Sequence, residues 1–388
     1  MKKQIRFPAL LAALILLTPL VHAAAPVVSN ISAIQRTGTR LVDITYNVTA
    51  DFSTVSVGLA ISSDGGATFS VPATTVSGAI GLGVARGTGK VITWNAGADW
   101  SNKYNSTMRF KVTADDASAL ILIPAGSFQM GNAMAEDTDI TDAPIRTVTV
   151  SAFYMGRNLV TKADWDTVQP WALTQGYTDL KVGFGTATNH PVQRITWWDM
   201  VKWCNARSEK EGLTPCYYTL SGAVYRTTDN DAVVCNWAAN GYRLPTEAEW
   251  EKAARGGLSG KRFPWGDRIS QSLANYYGNP SKYTYDDGPA GYNSGISSTS
   301  PVGSFAPNGY GLYDMAGNAW QWCWDWYGTY AAGAQTNPRG TDVVSYRVVR
   351  GGRYSSDARF CRVANRTKIN QFSTDSVVVF RVARTSVP

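Results

Sequence analysis

The sequence predicts an α+β chain, in which a small all-β sandwich precedes a larger domain of irregular, mixed structure. Three observations carry this. Residues 26–115 hold short alternating strands separated by Gly and Asp turns. Beyond residue 119 only three helix starts are well marked. The chain also carries 14 Trp and 36 Gly, a pairing that points to long ordered loops pinned by aromatic rings rather than to one large regular sheet.

Residues 1–23 read as a signal peptide. Lys2, Lys3 and Arg6 precede an apolar run from Ala9 to Leu17, and Val21-His22-Ala23 supplies a small-residue cleavage pattern. The run is shorter than the ~20 residues a spanning helix needs. No cysteine follows the cut, so the expected fate is secretion or release into a bacterial periplasm or cell envelope, with no transmembrane segment left. The formal charge of +7 includes the three cations of this leader, leaving +4 afterwards. Lys and Arg are scattered rather than striped, which argues against a nucleic-acid partner.

In the sandwich, 26–115, Leu41 to Val48 alternates apolar and polar, Ser63-Asp64-Gly65-Gly66 is a turn, and Lys90 to Trp94 and Met108 to Val112 read as later strands. The module resembles an immunoglobulin or fibronectin type III unit and shows no metal or nucleophile constellation. The joint falls at Ala114 to Ser118, and the second domain, 119–388, opens on Leu120 to Pro124.

Thr161 with Asp164 and Thr196 with Asp199 are loose capping boxes, each opening a short helix. Thr246 with Glu249 is a full box, and its helix is expected to run to Arg255 and stop at Gly256-Gly257. From Gly257 to Tyr346 no period persists. Such a loop-rich stretch needs internal pins: buried rings, disulfides or calcium. Of the five cysteines, Cys216 and Cys235 bracket a polar insertion and are expected to form a disulfide. The odd count leaves at least one of Cys204, Cys323 and Cys361 free or paired elsewhere.

Five segments stand out in order: Ile123 to Gly131, Tyr242 to Glu251 (Tyr-Arg-Leu-Pro-Thr-Glu-Ala-Glu-Trp-Glu), Phe263-Pro264-Trp265-Gly266, Pro307 to Trp322, and Arg350-Gly351-Gly352 with the residues up to Arg366. Together they resemble the formylglycine-generating enzyme, or sulfatase-modifying factor, family. The resemblance covers 119–385 and implies that family's variant of the C-type lectin fold. The family includes copper oxidases that convert a substrate cysteine to formylglycine, histidine-rich sulfoxide synthases, and non-catalytic ligand-binding members. Some of the last are variable proteins of diversity-generating retroelements.

The oxidases hold copper with two cysteines in the terminal segment. Here Ser356 stands at the first position and Cys361 at the second. A hydroxyl is a poor donor to soft Cu(I), so only Cys361 would serve a copper oxidase acting on a sulfatase client. A sulfoxide synthase needs several histidines, whereas only His190 lies outside the leader. The resemblance also implies two calcium sites, one of Asp314, the Gly317 and Ala319 carbonyls and Gln321, the other of Asn275, the Tyr276 carbonyl and Asp286 or Asp287. Oxygen donors of this kind suit calcium.

Departures from the family pattern concentrate between 353 and 379. Arg353, Tyr354, Ser356, Asp357, Arg359, Phe360, Lys368, Asn370 and Phe372 are expected to form a ligand-binding surface, with Trp322 either lining the same concavity or belonging to the core. Aromatic and arginine side chains suit such a surface. The expected partner is a protein or a glycan. The substitutions also match adenine-directed diversification of the segment.

Overall fold

The computed structural model describes residues 26–386 apart from 51–53, 102–104, 116–119, 296, 343–344 and 375–376. The leader and most of the joint lie outside the described residues. Two compact units divide between residues 116 and 117, except that Gly81–Val84 groups with the second.

In the first unit, strands Val27–Gln35, Leu41–Thr49, Gly87–Asn95 and Val76–Gly78 follow one another across an antiparallel sheet. Strands Thr54–Ser62 and Arg109–Asp115 pair in a second. The alternation in Leu41–Thr49 buries Val42, Ile44, Tyr46 and Val48, as a two-residue period requires. A short helix, α1 (Ala96–Asp99), follows Asn95, whose side chain accepts the Ala98 N–H.

In the second unit several small sheets replace one large one. Strand Phe153–Gly156 pairs with Leu120–Ile123 and with Ala383–Thr385, so the domain's two ends meet in one sheet. The sheet that carries the site runs Thr367–Ile369, Arg347–Arg350, Trp320–Trp326 and Val378–Val379.

Helices α2 (Lys162–Thr174), α3 (Trp197–Lys210) and α4 (Glu247–Arg255) begin at Thr161, Thr196 and Thr246. All three are complete capping boxes, because Asp164 and Asp199 reach back to the cap N–H as Glu249 does. Helix α4 ends at Gly256 in the left-handed region, φ 57°, where glycine carries no Cβ penalty.

The pins are rings and arginines. Trp165, Trp197, Trp198, Trp203, Trp250 and Trp322 are fully buried. Arg243 forks onto Glu249 at 2.6 and 2.7 Å, and Arg255 and Arg350 both bind Glu251. Arg366 binds Glu247, and Arg262 and Arg362 share Asp137. The pairs made by Arg350, Arg366, Arg262 and Arg362 tie segments remote in sequence.

All five cysteines are thiols in the structure. The expected Cys216–Cys235 bond is not formed, and strand register supplies the reason. Cys235 is the partner of Tyr217, and Asn236 lies across from Cys216, whose carbonyl accepts the Asn236 N–H at 2.7 Å. Successive side chains point to opposite faces of a ribbon, so the two sulfurs leave it on different sides.

Candidate functional site

Strand Arg347–Arg350 delivers the terminal segment. Gly351 and Gly352 follow with φ of 93° and 79°, turning the chain back over the sheet. A Cβ on Gly352 would lie 2.8 Å from the Cys361 Sγ and 3.1 Å from the Phe360 carbonyl oxygen, so only glycine lets this backbone pass the sulfur. Residues 358–361 then form one 3₁₀ turn.

Cys361 is fully buried in an apolar cluster with Phe263, Ile269, Ala274, Tyr276, Ala316 and Ala358. Burial drives its thiol well above the ordinary range, and the Gly317 N–H only partly opposes this. The Ser356 hydroxyl accepts the Arg353 N–H at 3.2 Å, and its carbonyl accepts the Tyr277 N–H at 3.0 Å. The serine is therefore a turn residue. The other cysteines belong to different surroundings: Cys204, Cys216 and Cys235 to the cluster around α3, and Cys323 to the one beneath α4.

The residues expected to bind ligand fall into two groups. In the first, the Tyr354 ring lies 6.2 Å from Tyr292, which meets Tyr277 edge-on at 5.0 Å. Asp357 accepts the Tyr283 hydroxyl at 3.0 Å and faces Lys282 at 3.8 Å. Phe360 meets Trp320 at 6.1 Å, with the Arg359 guanidinium 4.4 Å above its ring. Arg353 is half-buried at the turn's start.

In the second group, Lys368 lies over Tyr327 and Tyr346. Asn370 caps the turn by accepting the Phe372 N–H, and Phe372, 61% exposed, meets Trp198 at 4.5 Å. Phe360 and Ile369 both pack against the cluster holding Trp320 and Trp322, so one tryptophan core underlies both groups. Trp322 itself is 0% exposed. It supports the surface from below and does not line it.

The chain matches the model of the sulfatase-modifying factor enzyme 1-like domain over residues 105–386. This chain belongs to that family. Within it, the chain is 34% identical to the formylglycine-generating enzyme of Mus musculus, over 69% of this chain and 76% of the relative. It is 32% identical to the inactive C-alpha-formylglycine-generating enzyme 2 of Bos taurus, over 52% and 69%. Among solved structures, Treponema denticola variable protein 1 matches with a TM-score of 0.56 and 30% identity, over 68% of this chain and 94% of that one. That structure shares the fold of this chain's second unit.

Family membership raises copper and calcium, and neither set of donors fits as arranged. For copper, the segment offers one buried thiol and a hydroxyl already engaged with Arg353. At the first calcium position, Gln321 Oε1 accepts from Trp250 Nε1 and Arg381 Nε, both at 2.9 Å. Asp314 accepts from the Gly303 N–H and Asn318 Nδ2, and the Gly317 carbonyl accepts the Ala319 N–H. The Arg381 guanidinium thus already takes one of the Gln321 oxygen's lone pairs. At the second position, Asp287 forks onto Arg268. Asp286 takes the Tyr276 hydroxyl and the Asn279 and Gly288 N–H groups, and Asn275 donates to the Ser298 carbonyl at 3.0 Å.

Sequence reasoning missed Trp198, which meets Phe372, and Gln371, which joins the Trp197 N–H to Asp231. It also missed Arg347, which pairs back to Trp326 in the sheet and lies over its ring.

Proposed function

We propose that this chain is an exported, non-catalytic member of the family that binds a protein or glycan ligand through the surface of residues 353–360 and 367–373. The observation that supports this most is the pairing of Ser356 with Cys361. The hydroxyl closes a turn, and the one sulfur of the segment is sealed in an apolar cluster. A thiol so buried is a poor nucleophile and a poor metal ligand, since both roles need the thiolate.

The half-exposed rings of Tyr354 and Phe360 and the exposed Phe372, interleaved with Arg353, Asp357, Arg359 and Lys368, make a surface suited to recognition. Export rests on the leader at 1–23. Among the described residues no helix is long and apolar enough to cross a membrane. The similarity to a variable protein supports reading 353–379 as a diversified segment. Sibling sequences whose differences spread evenly over the domain would remove that part.

The second reading is a copper-dependent oxidase acting on a sulfatase cysteine, favoured by the 34% identity to the mouse enzyme. Incubating the reduced chain with copper, oxygen and a cysteine peptide separates the two. We expect no aldehyde on the peptide, and aldehyde that disappears in Cys361→Ser would establish the oxidase.

A further inference from the structure

The first unit holds a cavity of about 390 Å³, within the roughly 300–1,000 Å³ range of small-molecule sites. Three stretches line it: Ser63; Ser70, Val71 and Pro72; and Asp99, Trp100 and Ser101. The first follows strand Thr54–Ser62, the second precedes strand Val76–Gly78, and the third closes α1. These are loop positions, where the binding residues of a rigid scaffold gather.

Each stretch is held by bonds of its own. The Ser63 carbonyl accepts the Thr107 hydroxyl at 3.0 Å, and the Val71 N–H donates to the Ile61 carbonyl at 3.1 Å. Asp99 ties the third stretch to the second. Its Oδ1 accepts the Thr74 and Thr75 hydroxyls, both at 2.7 Å, and its Oδ2 accepts the Thr75 N–H at 2.8 Å and Trp94 Nε1 at 3.0 Å. Loops fixed before a ligand arrives lose little entropy when it binds.

The same four bonds narrow the chemistry. They fill the acceptor positions of the carboxylate, so none is left for a metal ion or an ammonium. Burial alone would raise the Asp99 pKa, but its donors outweigh that and hold the group below its ordinary range, ionised at neutral pH. Among the lining residues no Lys or Arg offsets this charge, so an anion is repelled. What the walls still offer is three serine hydroxyls, each both donor and acceptor, beside Trp100, Pro72 and Val71. Such hydroxyls match those of a sugar, and an indole ring matches the apolar C–H face of a pyranose.

We propose that this cavity binds a neutral saccharide, stacked on Trp100 and hydrogen-bonded by Ser63, Ser70 and Ser101. It is a site of the first unit and does not depend on how residues 353–373 are used.

The test is the indole N–H spectrum of the full chain during titration with cellobiose, maltose and N,N′-diacetylchitobiose, with glucuronate and glucosamine as charged probes. The Trp100 signal, assigned by its loss in Trp100→Phe, is expected to shift and saturate with a neutral sugar and with neither charged one. Ser70 is exposed, so Ser70→Tyr can crowd the cavity without disturbing the core, and it is expected to weaken the affinity about tenfold. A Trp100 signal that no neutral sugar moves at millimolar concentration, that follows the charged probes alike, or that is indifferent to Ser70→Tyr overturns the site.

Discussion

At Gly352 a Cβ and a sulfur would compete for one space. With the added Cβ 2.8 Å from Cys361 Sγ and φ at +79°, Gly352→Ala is expected to cost about 1–3 kcal/mol. Cys361→Ala in the same chain should recover part of that, because it removes the sulfur but not the backbone strain. Denaturant unfolding of both single variants and the double measures the coupling, and strict additivity would contradict the contact. The positions of Ser356 and Cys361 were legible because the surrounding segment is distinctive. The burial of Trp322 was not. Alternation places Trp320, Trp322 and Trp324 on one face, but the strand is covered on both faces, since Gln321 and Cys323 are 0% exposed as well, and alternation carries no sign of that. The Cys216–Cys235 pairing failed for a related reason, since proximity in sequence says nothing of strand register.

Helix starts were the most legible elements. A threonine followed three residues later by an acid satisfies two terminal N–H groups with local chemistry alone, and all three such sites open helices. What the N-terminus of α4 does beyond its cap was not visible. The Glu247 N–H donates to Asp325 Oδ2 at 2.8 Å, from a strand far along the chain. Burial, then the nearby Glu247 charge, raise the Asp325 pKa from 3.8 to about 8. The folded chain therefore keeps a proton that the unfolded chain loses near pH 4. Stability from this group is full below that pH, declines as pH rises toward 8, and is level above. Asp325→Asn keeps an oxygen for the Glu247 amide, so its melting temperature should fall less than wild type between about pH 5 and 8. Parallel curves would contradict the assignment.

For the whole molecule, sequence composition forecast a loop-rich fold in need of pins, and the many tryptophans proved to be pins. The arginine–carboxylate pairs were not foreseen, because their members are remote: Glu251 meets Arg350, and Asp137 meets Arg262 and Arg362. Glu251→Ala, which strands two buried guanidiniums, is expected to cost about 3–5 kcal/mol. A chelator should leave the melting temperature unchanged, because protein hydrogen bonds already occupy the carboxylates and the glutamine oxygen at both calcium positions. A drop in melting temperature that added calcium reverses would contradict this. The central claim is that the terminal segment recognises and does not oxidise. Titration of the reduced, folded chain with Cu(I) against a competing chelator tests it most directly. The account predicts no stoichiometric copper retained, and one copper held per chain, lost in Cys361→Ser, would contradict it.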